Sequence, residues 1–226
     1  MFASFHTCDK MRAGGLTMDT TQALAKLKAL VNTSLYYNKD VYDRERLGEM
    51  KEILFDISQK LTSYSEAELE AFFNEDLGYV TPKVDIRAVV FEDDRLLLVK
   101  EKDEGQWSLP GGWADVGYSP AEIAQKEVRE ESGLEVIPLQ LFKLVDKAKN
   151  AYPKSLNYVY KLFFYCEVKT FELQPGLETS EARFFSREEV ENLQNISVDR
   201  NTREDLLEAF EYHHHPTAGA KFDRVQ

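Results

Sequence analysis

The chain has 226 residues, 43% of them hydrophobic and 30% charged, with a formal net charge of −12. That length supports one sizeable core, or a domain with a smaller companion, and the acidic balance argues against a broad electrostatic grip on DNA or on an acidic membrane. Cys8 and Cys166 are too few and too distant for a disulfide framework, and no apolar run approaches the roughly 18–20 residues of a bilayer span, so the expected setting is a reduced cytoplasm.

Residues 1–17 lack a sustained apolar stretch because His6, Asp9 and Lys10 interrupt it. They read as a loose leader, with order beginning near Met18. Thr20 to Tyr36 reads as an amphipathic helix, with Leu24, Leu27, Leu30, Val31 and Leu35 at helical spacing. Asn38-Lys39-Asp40 is a turn. A second helix is expected over Asp43 to Leu61, with Leu47, Met50, Ile53, Leu54 and Ile57 on one side. Ser65-Glu66-Ala67-Glu68 is a capping-box pattern that opens a short third helix to Phe73. These three form a helical module over 18–78, which is short for a core of its own. Its apolar face is therefore expected to pack on another copy, giving a homodimer; packing on the same chain is the alternative.

Pro82 closes a linker, and the pattern then changes to strands over Val84 to Phe91 and Arg95 to Lys100. Trp107-Ser108-Leu109 leads into a glycine turn, Pro110-Gly111-Gly112. Ser119 is a good N-cap, Pro120 suits the first helical position, Glu122 completes a capping box and Gly133 suits the stop. Ala121, Ala124 and Val128 give that helix a narrow apolar stripe. Strands follow over Glu135 to Asp146, Tyr158 to Val168 and Ala182 to Phe185. Helices follow over Ser186 to Leu193 and Asn201 to His214. Strands on both sides of an internal helix, with helices after them, predict an α/β/α sandwich around a mixed sheet, the domain running over 79–226.

The chemistry gathers on the internal helix. Glu127, Glu130 and Glu131 are spaced i, i+3, i+4, which puts their carboxylates on one side. Acid at a helix C-terminus opposes the macrodipole by about 0.3–1 kcal/mol per group, and neighbouring like charges repel. A hard divalent cation, Mg²⁺ or Mn²⁺, would remove both penalties. A solvated acidic face is the competing reading of the spacing alone.

The run from Gly112 through Glu127-Val128-Arg129-Glu130-Glu131-Ser132-Gly133-Leu134 resembles the Nudix box: Gly, five residues, Glu, seven residues, then Arg-Glu-aliphatic-x-Glu-Glu-x-Gly-aliphatic. Two positions depart from it. Tyr118 stands where the family has its first glutamate, and Lys126 where it has arginine; Asp115 is a candidate replacement for the missing carboxylate. Around the box, Gly111 to Pro120 and the helical extension are similar to a bacterial Nudix subgroup. That resemblance implies a Nudix-type fold and a divalent-cation-dependent pyrophosphohydrolase acting on a nucleoside diphosphate joined to a second group. CDP-choline is the leading substrate it implies, ADP-ribose the second, and RNA 3′ ends a further activity left open. It also implies metal ligation by Glu127, Glu130, Glu131 and Gly111. A non-catalytic, nucleotide-sensing Nudix regulator is the alternative of a different class, but only a short segment without a basic recognition helix follows the last strand.

Outside the box, Glu178 and Glu181 lie on the loop before the last strand and are candidates for the base that activates water, with solvated loop acids as the alternative. Arg87 is a charge in an apolar strand, for which a phosphate partner is one explanation and an edge position the other. Trp107 and Trp113 flank the glycine turn, and one of them could stack on a base. Gly111 and Gly112 let backbone approach phosphates closely. Lys147, Lys149 and Lys154 dot a polar loop. His213, His214 and His215 are adjacent, so they point apart and do not suit one metal.

Overall fold

The structure, a computed structural model, describes residues 19–76, 78–170 and 172–224; the leader expected over 1–17 lies outside them. The chain divides into two compact units between Val80 and Thr81.

The first unit holds helices α1 (Thr20–Tyr37), α2 (Val41–Leu61) and α3 (Glu66–Asn74). Asp40 accepts a hydrogen bond from the Asp43 N–H and caps α2, so Val41 and Tyr42 join a helix expected to begin at Asp43. Ser65 and Glu68 cap α3 reciprocally. Leu24, Val31, Leu54, Leu69, Phe72 and Phe73 are buried, and Lys28 reaches Asp76 over the Phe72 ring. The expected stripes are only partly used. Leu27, Leu30, Met50, Ile53 and Ile57 stay exposed, Leu30 by 56% and Ile53 by 50%.

The second unit is a mixed sheet between helical layers. Its elements are β1 (Lys83–Glu92), β2 (Arg95–Glu101), β3 (Trp107–Ser108), α4 (Pro120–Ser132), β4 (Val136–Asp146), β5 (Val159–Val168), β6 (Thr179–Phe185), α5 (Arg187–Asn192), α6 (Arg203–His214) and β7 (Lys221–Phe222). The sheet order is β3-β2-β1-β5-β4-β7, with β6 on β2. β1 and β5 are parallel, β4 and β5 antiparallel. Alternation along β1 separates two cores. Ile86, Ala88 and Val90 pack with Ile123, Ala124 and Val128 of α4. Val89 and Phe91 pack with Phe163, Phe185, Leu206 and Phe210 on the α5–α6 side.

Several boundaries move for local reasons. Thr202 caps α6 through the Asp205 N–H, so that helix starts at Arg203 and not at Asn201. β6 begins earlier than expected, at Thr179, because the ladder with β2 extends to Glu101. The α4 stripe runs through the fully buried Ile123 instead of the half-buried Ala121. The short β7, which pairs with Lys143 and Leu144, was not anticipated.

β1 meets β2 only at its end, through Phe91 and Glu92. Along the free part of that edge runs the glycine turn. Ile86 N donates to Gly112 O at 2.8 Å, Ala88 N to Pro110 O at 2.8 Å, and Ala114 N to Val84 O at 2.9 Å. This lays the turn flat between the sheet and the C-terminal end of α4.

Candidate active site

α4 is built from its caps inward. Ser119 and Glu122 form the expected box, and Gly133 takes φ +74°, closing the helix in the left-handed conformation. At that end the carboxylates fan out. Glu131 turns into the protein, 7% exposed, and accepts from the Gly111 N–H at 3.0 Å. Glu127 lies against Gly112, where a Cβ would stand 3.0 Å from Oε1. Glu130 points outward, half exposed, with Lys126 at 4.0 Å. Burial raises Glu131 to about 8; Glu127 and Glu101 push the same way, while Arg87 and the Gly111 N–H oppose. Burial also raises Glu127, helped by Glu130 and Glu178 and opposed by Lys126 and Arg87. Among the described residues no three acidic, His or Cys side chains already converge as a tight metal cluster.

A cavity of about 580 Å³ opens beside this helix end. Glu127, Glu131, Gly111, Gly112, Trp113 and Asp115 line one wall, and Glu178 joins them. The loop bearing Glu178 is pinned to α4: Gly176 N donates to Thr179 Oγ1 at 2.8 Å, and that hydroxyl donates to Glu131 O at 2.7 Å. Glu181 is not brought there. Its side chain pairs with Lys100 at 2.7 Å, and it is not among the cavity residues. Glu130 is likewise outside the lining, on the outer side of the helix end.

Arg87 lies on the cavity floor, 5% exposed, so the edge position considered for it does not hold. Its Nη2 and Nε reach Asp85 Oδ1 at 2.7 and 3.0 Å, and its Nη1 donates to Leu109 O at 3.2 Å. Trp113 lines the cavity half exposed, whereas Trp107 is core, edge-on to Phe185 at 4.8 Å. Lys147 lines the cavity and pairs with Asp199 at 2.8 Å; Lys149 and Lys154 do not line it. His213 serves packing, stacked on Phe91 at 4.1 Å and bonded to the Tyr165 hydroxyl at 2.7 Å.

Sequence reasoning missed Asp85, Lys161, Glu101, Ser197, Asp199 and Arg200, all of which line the same cavity. Lys161 could have been found by the signal that marked Arg87, a lone charge in an apolar strand. The wall from Ser197 to Arg200 carries no such signal. It is a loop hung on β3 by backbone bonds, Trp107 N to Asn195 O at 2.7 Å and Ser197 N to Trp107 O at 2.9 Å.

The NUDIX domain model matches residues 81–206, over half of the chain. The chain belongs to the Nudix family. It is a Nudix hydrolase, and enzymes of this family generally use divalent cations. A second model, "UDP-X-like, N-terminal oligomerisation domain", matches residues 19–73. A Bacillus subtilis (strain 168) protein provisionally named ADP-ribose pyrophosphatase YjhB is 36% identical over 201 residues, spanning 88% of this chain and 94% of the relative. An ADP-ribose pyrophosphatase from Streptococcus suis 89-1591 is 40% identical, covering 63% of this chain and 100% of that one, with a TM-score of 0.56. A UDP-X diphosphatase structure is 28% identical, covering 89% and 96% of the two chains, with a TM-score of 0.57.

The two departures from the Nudix box meet in space. Lys126 pairs with Asp115 at 2.9 Å and stands 5.7 Å from the Tyr118 ring centroid. An ammonium is thus held by a carboxylate and an aromatic face, with Glu130 nearby. Lys126→Arg alone is expected to leave kcat/KM no higher than wild type, because the larger planar head does not reproduce the point charge between these groups. Initial rates under saturating Mg²⁺ check this; a several-fold gain would mean that the wild-type arrangement is a damaged box and not a compensated one.

Proposed function

We propose that this Nudix hydrolase cleaves the diphosphate of a nucleoside diphosphate linked to a second group. The observation that carries the reading is the cavity itself. It gathers the carboxylates of Glu127, Glu131 and Glu178 with those of Asp85, Glu101, Glu104, Asp115 and Asp199, and sets among them the cations of Arg87, Lys147, Lys161 and Arg200. Such a lining suits a compact polyanion escorted by a metal ion.

The donor set fits a hard divalent cation. Glu127 and Glu131 are carboxylates whose burial leaves their charge poorly offset, and Gly112 leaves room beside Glu127. Glu127, Glu130, Glu131 and the Gly111 carbonyl would hold Mg²⁺ or Mn²⁺. When bound, the cation polarises phosphoryl oxygens and offsets charge on the leaving phosphate. The chain's own groups do the rest. Arg87 binds phosphate oxygens, Glu178 takes the proton of the attacking water at its carboxylate, and Trp113 offers a face for a base. Glu181, tied to Lys100, is left out of this role.

We rank ADP-ribose ahead of CDP-choline because two relatives carry that substrate in their names, which reverses the order expected from the box and its surroundings. The comparisons give no support to RNA 3′ ends, which are not carried into the proposal. A panel of ADP-ribose, CDP-choline and UDP-linked sugars, assayed with Mg²⁺, decides the order. ADP-ribose is expected to give the highest kcat/KM; a tenfold advantage for CDP-choline would restore the first order, and no turnover of any member would end the reading.

The helical module is proposed to join two copies. Leu30, Ile53 and their neighbours present apolar area that a soluble protein covers, and the matching domain model is described as an oligomerisation domain. A closed pair about a two-fold axis is the simplest cover. Light scattering on the full chain should report a dimer, and a chain beginning at Thr81 should be monomeric or aggregate. A monomeric full chain at micromolar concentration, or a clean dimer of the truncated one, would contradict this.

A further inference from the structure

The floor of the cavity holds three charges that share one geometry. Asp85 and Lys161 face each other across the parallel ladder of β1 and β5, and Arg87 follows Asp85 on the same face of β1. All three are buried, Lys161 to 1% exposure, and all three line the cavity. Among themselves the three have one carboxylate for two cations, and the buried Glu131 and Glu101 also act on Arg87. A buried donor left without an acceptor is costly unless something answers it.

The hydrogen-bond inventory shows where the answer would sit. The lysine ammonium has three N–H donors. Lys161 gives one to Asp85 Oδ2 and one to Asp199 O, the latter at 3.3 Å. The Tyr152 ring centroid is 5.3 Å from Nζ, within cation–π range but too far to take a hydrogen bond. One donor remains. Arg87 has five donors, of which Asp85 takes the Nε and one Nη2 hydrogen and Leu109 O one Nη1 hydrogen. Two remain. Among the described residues, three donors are therefore left unused on two buried cations that line the cavity, at a spacing fixed by the shared carboxylate.

We infer that Lys161 is a substrate-binding residue that, with Arg87, grips non-bridging oxygens of the substrate's diphosphate, and that Asp85 is the positioning residue that holds the two cations apart at the required spacing. This rests on the proposed nucleoside-diphosphate chemistry and adds to it the residues that recognise the diphosphate. Two flexible cations would otherwise repel and turn to solvent; the carboxylate keeps both in place before substrate arrives, so little ordering is left to be done on binding. Because the same oxygens are present in the bound substrate and in the transition state, the grip acts on both, and its loss raises KM more than it lowers kcat.

The test uses the full chain and two readouts. In steady-state assays with Mg²⁺, Lys161→Met is expected to raise KM by about tenfold or more with kcat changed by less than about threefold, and Asp85→Asn to raise KM in the same way. In calorimetry, inorganic pyrophosphate with Mg²⁺ is expected to bind the wild type and to bind Lys161→Met at least about tenfold more weakly. Arg87→Lys keeps the charge but loses the planar fork and its spare donors, and should weaken pyrophosphate similarly; it decides the matter if Lys161→Met does not fold, as judged by thermal unfolding. If wild type turns over its substrate while folded Lys161→Met keeps KM and pyrophosphate affinity, the inference is overturned and the functional reading stands. If wild type hydrolyses none of the panel yet binds pyrophosphate in a Lys161-dependent way, the functional reading falls and the anion floor stands.

Discussion

Glu130→Gln is expected to lower kcat/KM by at least about a hundredfold while leaving unfolding free energy within about 0.5 kcal/mol of wild type. The two halves of that expectation come from the same geometry. Glu130 is on the outer side of α4, half exposed, and among the described residues it pairs with Lys126 at 4.0 Å. An exposed pair of that kind contributes about 0–1 kcal/mol, so the fold has little to lose. The site has much to lose. Gln is the same shape but carries no charge, and a divalent cation held by one carboxylate fewer is held more weakly and stabilises less transition-state charge. Near-wild-type turnover in saturating Mg²⁺ would remove Glu130 from the ligand set and leave Glu127 and Glu131 to carry it.

Gly111→Ala should act on both fold and activity. Gly111 has φ +151°, and a Cβ there would stand 2.0 Å from the Ile86 carbonyl oxygen and 2.9 Å from the Arg87 Cα. Those atoms belong to β1, which is fixed by its ladder to β5 and cannot step back. The expected cost is about 3 kcal/mol, read as a lowered urea midpoint. Any folded fraction should be inactive, since the Gly111 N–H would no longer meet Glu131 and the floor around Arg87 would shift. Gly112 supplies the control. A Cβ there meets the carboxylate end of Glu127, a flexible tip, at 3.0 Å. Gly112→Ala should therefore cost less stability than Gly111→Ala while still displacing Glu127. Equal, small effects of both changes would show that the turn does not lie against β1 as described.

What could be read in the sequence was what short-range chemistry decides. Ser119, Pro120, Glu122 and Gly133 specify α4 by caps within a few residues of one another, and the spacing of Glu127, Glu130 and Glu131 follows from helix geometry. The inward turn of Glu131 and the outward one of Glu130 did not follow. An i, i+3, i+4 triplet spans a broad face, and only the glycine turn packed against it separates the two. Asp85 and Lys161 are 76 residues apart, and their meeting is set by the register of a parallel ladder that no local signal encodes. Glu178 and Glu181 looked equivalent in sequence. Pairing of β6 with β2 sets Glu181 opposite Lys100, while the Gly176–Thr179 clamp leaves Glu178 at the cavity.

Product analysis tests the central claim most directly. Purified protein incubated with ADP-ribose and Mg²⁺, followed by phosphorus NMR, should convert the diphosphate signal into two monoester signals, AMP and ribose 5-phosphate, and should do so only while the cation is present. An intact diphosphate across the nucleotide panel, or cleavage that continues unchanged in excess chelator, would contradict the account.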